Sequence, residues 1–172
     1  EGIAKWTKAI MDEYPHFNIM GEVWLNQSAQ VSYWQKDSPI SAIQSYNTYL
    51  PTVMDFPLFN AIGEAFRVAP SWDKGMIQLY DNLANDFLYK DINNLLIFAE
   101  NHDTARLNHA YPKIADYKLI ISMLATARGI PQLYYGSEIG MAGDKSKGDG
   151  HIRQDFPGGW EGDVQNAFTA AG

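Results

Sequence analysis

Four short apolar runs of strand length recur along the chain. They cover 17–23, 52–56, 94–99 and 130–135, and apolar residues at helical spacing lie in several of the segments between them. Parallel strands need crossover connections and are usually covered by helices on their faces. Strands that alternate with helices therefore predict an α/β fold with a parallel sheet, either an open doubly wound sheet or a barrel.

Proline and capping residues mark the first two predicted helices. Apolar residues at helical spacing over 3–10 predict a helix that ends at Tyr14-Pro15. Ser38-Pro39 supplies an N-cap and a proline at N1, which predicts a second, short helix.

Two longer helices are predicted in the second half of the chain. Ser71 is expected to cap a helix whose apolar stripe faces the core. The stripe consists of Met76, Leu79, Tyr80, Leu83 and Phe87. Pro112 begins another helix, which is expected to end near a left-handed Gly129. Residues 136–172 are rich in Gly and Asp, and we expect a long loop or an incomplete element there.

Polar side chains stand at or just beyond the carboxyl end of each apolar run. They are Glu22, Asp55, His102 with Asp103, and Glu138. Barrel enzymes place their chemistry at this end of the strands. No Gly-rich phosphate loop follows any of the runs, which disfavours a nucleotide-binding sheet. The sequence therefore favours part of a (β/α)8 barrel.

Composition narrows the range of partners. The formal net charge is -7 and Lys and Arg are not clustered, which argues against nucleic acid or an anionic membrane as a partner. Ten Tyr, eight Phe and five Trp suit the mixed polar and apolar faces of sugars. The chain has no Cys, so neither a disulfide nor a thiolate metal site is predicted. A neutral ligand fits this composition best.

Glycoside hydrolysis requires two carboxyl groups, one that protonates the leaving oxygen and one that attacks or stabilises the oxocarbenium-like centre. Glu22 and Asp103 are the catalytic candidates. Gly21-Glu22-Val23-Trp24 places the glutamate among apolar side chains, which are expected to desolvate it and favour its protonated form. A solvated or capping role is the alternative for a glutamate at a strand end.

Several other side chains are candidates for binding sugar. His102 beside Asp103 offers a ring donor and a carboxylate that together can bind vicinal hydroxyls, although a turn capped by Asp103 is the alternative. Trp24, Tyr33 and Trp34 follow the Glu22 run and are candidates to stack on sugar rings. Packing of these three rings at the rim of the barrel is the alternative.

No metal site is predicted. His16, His102, His109 and His151 are scattered and lack metal-binding spacing. The run 144–150 carries carboxylates suited to Ca²⁺, but its spacing is not that of an EF-hand, and a mobile solvated loop is expected instead.

Three segments, in order along the chain, resemble motifs of the α-amylase superfamily, glycoside hydrolase family 13. The segment 21–24 is similar to the strand-five motif, 98–103 to the strand-seven motif, and 129–141 to the strand-eight segment with its loop. Arg153, Asp155 and the segment 156–160 resemble a loop of neopullulanase and cyclomaltodextrinase-like members.

The resemblance implies residue roles. Glu22 corresponds to the general acid/base, and His102 and Asp103 correspond to residues that bind substrate hydroxyls and stabilise the transition state. Asn101, within the strand-seven motif, and Arg153, in the downstream loop, join the candidates for substrate binding.

The departures from the family pattern define the expected domain content. The strand-three motif with its Asn-His pair and the strand-four motif with its Arg and Asp nucleophile have no counterpart here. A convincing eighth helix and the C-terminal β-domain are also missing. Residues 1–172 are therefore expected to form a partial catalytic domain, roughly strands five to eight, that lacks the N-terminal half-barrel and the nucleophile.

The resemblance implies a protein that hydrolyses α-glucosidic bonds of starch, maltooligosaccharides, pullulan or cyclodextrins with retention of configuration. Two alternatives stay open: a non-catalytic barrel module for carbohydrate binding or protein interaction, and a transglycosylase on the same scaffold. No cofactor is identified, and Ca²⁺ stays an option for the full-length protein. The periplasm or the cell exterior is expected, with the cytoplasm as the alternative. The fragment alone is expected to be inactive and to hide its open sheet edges by self-association, by pairing with the missing half or by folding loosely.

Overall fold

The structure, a computed structural model, describes residues 2–169 and divides into two compact units. The sheet unit comprises the described residues up to Phe98 together with Ser122–Gln132. The loop unit comprises Ala99–Ile121 and the described residues from Leu133 onward. Each unit is described by itself below.

A four-stranded parallel sheet lies in the sheet unit. Its strands are β1 (Met20–Gly21), β2 (Thr52–Met54), β3 (Leu95–Ile97) and β4 (Ile130–Pro131). They pair in chain order, β1-β2-β3-β4, and all three pairings are parallel. A doubly wound sheet reverses its strand order at a switch point, whereas a barrel adds each strand beside the previous one. The predicted parallel α/β fold, part of a (β/α)8 barrel, is confirmed.

Short helices connect the strands. The sheet unit holds α1 (Gly2–Glu13), α2 (Ser28–Ser32), α3 (Pro39–Ala42), α4 (Phe56–Arg67) and α5 (Ile77–Leu83), with 3-10 turns at Asp86–Leu88 and Ile92–Asn94. The chain continues through α6 (Leu107–Ala110), α7 (Ile114–Thr126) and α8 (Asp149–Ile152), with 3-10 turns at Ser137–Ile139 and Lys145–Lys147.

Two predicted helix boundaries are confirmed. Ser38 caps α3, where its side-chain oxygen accepts a hydrogen bond from the backbone N–H of Ile40 at 3.2 Å. Gly129 adopts φ +98°, and a Cβ at this position would come within 2.6 Å of the Leu95 carbonyl oxygen. Glycine therefore allows the chain to turn sharply from α7 into β4 against the neighbouring strand.

Other expectations for the helices are wrong. Ser71 does not cap α5, because it pairs with Lys74 in an isolated bridge ahead of the helix. Of the apolar stripe only Leu79 is buried, while Tyr80 and Phe87 are exposed. The sequence prediction also overlooked α4. The described part of the segment after Gly136 agrees with the expected long loop or incomplete element, because it is mostly irregular and is interrupted only by two 3-10 turns and the four-residue α8.

The core of the sheet unit forms around β2 and β3. Its central cluster consists of Met54, Phe56, Leu96 and Phe98, with Phe59 packed against it. The longest helix in residues 2–169 has 13 residues, and no helix of that part of the chain has the length and apolar character needed to cross a membrane.

Candidate active site

Glu22 follows directly on the last residue of β1. Gly21 pairs with Val53 of β2, so the backbone before the glutamate is fixed by the sheet. The Glu22 side chain is exposed, which contradicts the expectation that its apolar neighbours desolvate it. The strand places the carboxyl group in solvent at the carboxyl end of the sheet, where a ligand can reach it.

Trp24 lies two residues further along the same segment. Its ring stacks on Phe56, with the centroids 4.7 Å apart and the planes at 21°. Phe56 is fully buried and contacts Phe98 edge to face at 5.1 Å. The indole is thus supported by the core, yet 48% of the Trp24 residue stays exposed. An aromatic ring held in this way can stack on a sugar.

Tyr33 and Trp34 belong to a separate aromatic cluster with Tyr46. Tyr33 stacks on Tyr46 at 5.9 Å and meets Trp34 edge to face at 5.3 Å. The Tyr33 hydroxyl donates to Gln44 Oε1 at 2.9 Å. The rings are partly buried against one another, as the packing alternative predicts, and the predicted sugar contact of Tyr33 and Trp34 stays a prediction.

Asp55 is a structural residue and not a site residue. It is fully buried, and its Oδ1 accepts the backbone N–H of Leu58 at 3.0 Å, which caps α4. Its Oδ2 accepts Nη1 of Arg128 at 2.7 Å. Both carboxylate oxygens of Asp55 therefore accept hydrogen bonds within the sheet unit. Although Asp55 lies at the end of a strand, its carboxylate is not available as a catalytic group.

Arg128 joins Asp55 to Asp86. Its Nε and Nη2 donate to the two oxygens of Asp86 at 3.0 and 2.6 Å. Burial lowers the pKa of Arg128, but the hydrogen bonds and charges of Asp86 and Asp55 outweigh burial and raise it. Burial raises the pKa of Asp55, and Arg128 opposes this shift. A guanidinium that binds two carboxylates keeps its charge, so Arg128 is a permanent cation between the two aspartates.

The turn 101–104 in the loop unit presents the predicted sugar-binding pair. Asn101 is fully buried, and its Oδ1 accepts the backbone N–H of Asp103 at 2.8 Å. The hydroxyl of Thr104 accepts the backbone N–H of Asn101 at 2.8 Å. A residue with no exposed surface cannot contact a sugar directly, so the predicted binding role of Asn101 is replaced by one of ordering this turn.

The structure brings His102, Asp103 and Arg153 together. Nε2 of His102 lies 3.2 Å from Oδ2 of Asp103. Arg153 donates from Nε to the His102 carbonyl oxygen at 2.7 Å, and from Nη2 to Oδ1 of Asp103. The imidazole is exposed and the carboxylate is partly exposed. The structure therefore confirms that donor and carboxylate lie side by side, and their predicted binding of adjacent sugar hydroxyls stays a prediction.

The sequence analysis did not identify two further charged residues of this network, Asp149 and Lys145. Asp149 accepts Nη2 of Arg153 at 3.0 Å, and Lys145 pairs with Asp149 and lies 3.9 Å from Oδ1 of Asp103. The hydrogen bond from Lys145 and the charge of Arg153 lower the pKa of Asp149. The available signal was the spacing of Lys145, Asp149 and Arg153, each of which follows the one before it by four residues.

Within the run 144–150, Lys145–Lys147 form a 3-10 turn and α8 begins at Asp149, while the expected mobility of this run stays a prediction. Asp144 Oδ1 accepts the backbone N–H of Ser146 at 2.9 Å and its hydroxyl at 2.7 Å. These hydrogen bonds lower the pKa of Asp144. Asp149 forms ion pairs with Lys145 and Arg153. Both carboxylates thus already have protein partners, and the absence of a Ca²⁺ site in this run stays a prediction.

A buried carboxylate inside the strand-seven segment was also overlooked. Glu100 accepts Nε of Arg106 at 2.9 Å, the backbone N–H of Leu107 at 2.7 Å, and the hydroxyl of Ser137. Arg106 is fully buried and lies over the Tyr134 ring at 4.5 Å. These bonds fix the segment that carries the turn 101–104. Glu138, another predicted strand-end carboxylate, is exposed in the 3-10 turn Ser137–Ile139.

Comparison with known proteins identifies the family of the chain. Residues 1–166 match the family model of the α-amylase catalytic domain. Alpha-amylase 3 of Dictyoglomus thermophilum is 30% identical over 162 residues, which cover 90% of this chain and 28% of that protein. A cyclomaltodextrinase of Thermoanaerobacter pseudethanolicus is 32% identical over 146 residues, which cover 81% of this chain and 22% of that protein.

Solved structures show the same relation. The α-amylase of Geobacillus thermoleovorans, crystallised with acarbose, has a TM-score of 0.66 and 26% identity over 89% of this chain and 32% of that chain. The chain thus spans a third or less of the length of each of these three relatives. The family model nevertheless covers nearly all of its residues, and the chain belongs to the α-amylase catalytic-domain family, within glycoside hydrolase family 13.

Proposed function

We propose that the full-length protein is a retaining glycoside hydrolase that cleaves α-glucosidic bonds of glucans. The observation that carries the proposal is the pair of His102 and Asp103, which an ordered turn and Arg153 hold with donor and acceptor side by side. The family membership and the exposed Glu22 at the end of β1 support the same activity.

Glu22 acts in this proposal as the general acid/base. It protonates the glycosidic oxygen as the bond breaks, and it later removes a proton from the attacking water. The nucleophile of the family has no match in these 172 residues, so the proposal assigns it to another part of the full-length protein. With retention, the two carboxyl groups stand about 5 Å apart in the complete site.

Asp103 and His102 bind sugar hydroxyls and stabilise the transition state. Hydrogen bonds to these hydroxyls strengthen as the ring flattens towards the oxocarbenium ion, so they contribute more to the transition state than to the bound substrate. The solvent-facing part of Trp24, whose ring is supported by Phe56, offers a platform for a neighbouring glucose unit.

The finer proposal concerns the subgroup. We place the protein with neopullulanase and cyclomaltodextrinase-like enzymes because Arg153, Asp155 and the segment 156–160 resemble a loop of that group. The 32% identity to a cyclomaltodextrinase supports this placement. Maltooligosaccharides, pullulan and cyclodextrins are then the proposed substrates.

A transglycosylase is the second candidate, because water and a sugar hydroxyl compete for one glycosyl-enzyme intermediate. Analysis of products from maltotriose separates the two, since a transglycosylase yields chains longer than the substrate. A non-catalytic module is less consistent with the sequence, which keeps Glu22, His102 and Asp103 together.

The test is Glu22→Gln in the full-length protein. Loss of a positioned general acid costs about 10²- to 10⁴-fold in turnover of maltoheptaose, because the alkoxide leaving group needs a proton. Glycosyl fluorides and activated aryl glycosides should lose less in the first step. Glu64→Gln, an exposed glutamate on α4, is the matched control and should keep wild-type turnover. Near wild-type turnover of maltoheptaose by Glu22→Gln would exclude the assignment.

Residues 1–172 expressed by themselves should not hydrolyse maltoheptaose, because an acid without its nucleophile does not complete a retaining cycle. Turnover by the purified chain that disappears with Glu22→Gln would show that another carboxylate of the chain replaces the nucleophile. Light scattering of the same sample tests the expected self-association, which a compact monomer would contradict.

A further inference from the structure

Arg153 holds the turn that carries the candidate sugar-binding pair. Its Nε donates to the carbonyl oxygen of His102 at 2.7 Å, and its Nη2 donates to Oδ1 of Asp103. The other carboxylate oxygen, Oδ2, lies 3.2 Å from Nε2 of His102. Both oxygens of Asp103 therefore have a partner, and the carboxylate is kept in one orientation.

Arg153 is itself held by charged neighbours in the loop unit. Oδ2 of Asp149 lies 3.0 Å from Nη2 of Arg153, and Asp149 also binds Lys145. A guanidinium that binds two carboxylates and a carbonyl loses the freedom that an arginine needs to follow a mobile ligand. The arginine thus belongs to the framework of the turn.

The loop that carries Arg153 is anchored by the buried Arg106. The backbone N–H of Arg106 donates to the Gly143 carbonyl at 2.9 Å, and its Nη1 donates to the Ile152 carbonyl at 3.4 Å. Ile152 is fully buried. A Cβ on Gly143 would come within 2.6 Å of Cγ of Arg106 and 2.7 Å of the His151 carbonyl oxygen, so the loop closes tightly on this arginine.

Arg106 also binds Glu100, in the segment that leads into the turn 101–104. The turn and the loop 143–153 are therefore fixed to one buried ion pair, and the position of Arg153 relative to Asp103 is set before any substrate arrives. Groups whose own supports are fixed keep the precise geometry that catalysis requires.

We infer that Arg153 is a positioning residue that acts through Asp103 and the His102 backbone, and not a ligand of the sugar. This inference rests on the proposed function and revises the substrate-binding role that the resemblance suggested. Its effect on the reaction is to keep the Asp103 carboxylate aligned with the substrate hydroxyls as the transition state forms.

A double-mutant cycle in the full-length protein tests the inference. Arg153→Met should lower kcat for an activated aryl maltooligosaccharide by about 10- to 100-fold, with a smaller change in KM, because a displaced catalytic group loses alignment. In the Asp103→Ala background the same substitution should cost no more than about twofold, since the group it positions is gone. Equal losses in both backgrounds would mean that Arg153 binds the sugar itself, and would overturn the inference.

A second measurement does not depend on activity. Hydrogen exchange at the backbone N–H groups of Asp103 and Thr104 should become faster in Arg153→Met, because the turn loses its outer support. The control is Lys147→Met, which removes a positive charge from the same loop. Lys147 is exposed and makes no ion pair within residues 2–169, so kcat and exchange should both stay unchanged.

The two measurements separate this inference from the proposed function. If the wild-type protein turns over no glucan while Arg153→Met still speeds exchange in the turn, the proposed function fails and the positioning contact stands. The opposite outcome is an active wild-type protein in which Arg153→Met leaves exchange in the turn unchanged and lowers kcat equally in the wild-type and Asp103→Ala backgrounds. In that case the positioning role fails and the proposed function stands.

Discussion

Arg128 in the sheet unit and Arg153 in the loop unit each bind two aspartates, and the two clusters differ in their exposure. In the sheet unit Arg128 lies between Asp55 and Asp86, with 0% of the Asp55 side chain and 12% of the Arg128 side chain exposed. A buried ion pair of this kind is costly to break, because removal of one partner leaves the other charge without compensation.

In the loop unit Arg153 lies between Asp103 and Asp149, with 27% of the Asp103 side chain and 39% of the Arg153 side chain exposed. Exposed pairs contribute little to stability. An arginine between two aspartates therefore stabilises the fold in the sheet unit, whereas the corresponding cluster in the loop unit stays accessible to a ligand. Burial, and not residue type, separates a structural aspartate from a candidate catalytic one.

The largest effect on stability is expected for Asp55→Ala. It removes the N-cap of α4 and leaves Arg128 with one carboxylate fewer, so the free energy of unfolding should fall by about 3–5 kcal/mol. Denaturant unfolding of the full-length protein measures this change. Asp12→Ala, in the exposed pair with Lys8, is the control and should leave stability unchanged. Equal effects of the two substitutions would contradict the distinction between the clusters.

The opposite result is expected for Asp103→Ala. Its kcat on maltooligosaccharides should fall by about 10²- to 10³-fold with little change in KM, because the role proposed for Asp103 is to stabilise the transition state. The unfolding transition should stay at its wild-type denaturant concentration. His102→Ala should follow the same kinetic pattern with a smaller loss. A rise in KM with an unchanged kcat would show that these residues only bind the ground-state substrate.

Arg128→Lys is expected to lower the free energy of unfolding by an intermediate amount. Lysine cannot reproduce the two parallel hydrogen bonds to Asp86 together with the bond to Asp55. Loss of one charged hydrogen bond costs about 1.5–3 kcal/mol of unfolding free energy, and turnover of the folded fraction should be unchanged. Wild-type stability of Arg128→Lys would indicate that a positive charge between Asp55 and Asp86 is sufficient, and that the planar guanidinium group is not needed.

The smallest effect concerns the acid side of the stability profile. The pKa of Asp149 is lower in the folded protein than its usual 3.8, so the unfolded chain takes up this proton more readily. Asp149 therefore stabilises the fold above about pH 4 and loses that contribution as the pH falls below it through the folded pKa. Asp149→Asn should flatten the acid limb of a plot of unfolding midpoint against pH. An unchanged acid limb would show that protonation of Asp149 is not coupled to unfolding.

Local patterns predicted the elements that depend on neighbours in sequence. Ser38 with Pro39 predicted the start of α3, and Gly129 the turn between α7 and β4, because caps and left-handed turns involve adjacent residues. The same signals were present at Asp55 and Pro57, where an N-cap and an early proline begin α4. That helix was overlooked because the apolar residues before it were assigned to a strand.

Exposure was harder to predict than helix type. Tyr80 and Phe87 fall on one predicted apolar face, yet α5 ends at Leu83, Phe87 lies in the 3-10 turn Asp86–Leu88, and both side chains are exposed. Periodicity describes the pattern that a helix presents, whereas burial depends on what the rest of the chain places against it.

The sequence by itself determined the alternation of strands and helices, the position of Glu22 and of His102 with Asp103 after their strands, and the resemblance to the family. These features arise from residues close together in the chain. Only the tertiary structure showed that Asp55 is buried in an ion pair whereas Asp103 stays partly exposed, because the deciding contacts are remote in sequence. Asp55 meets Arg128 across 73 positions and Asp103 meets Arg153 across 50. Burial in the first case and exposure in the second follow from packing that no local pattern contains.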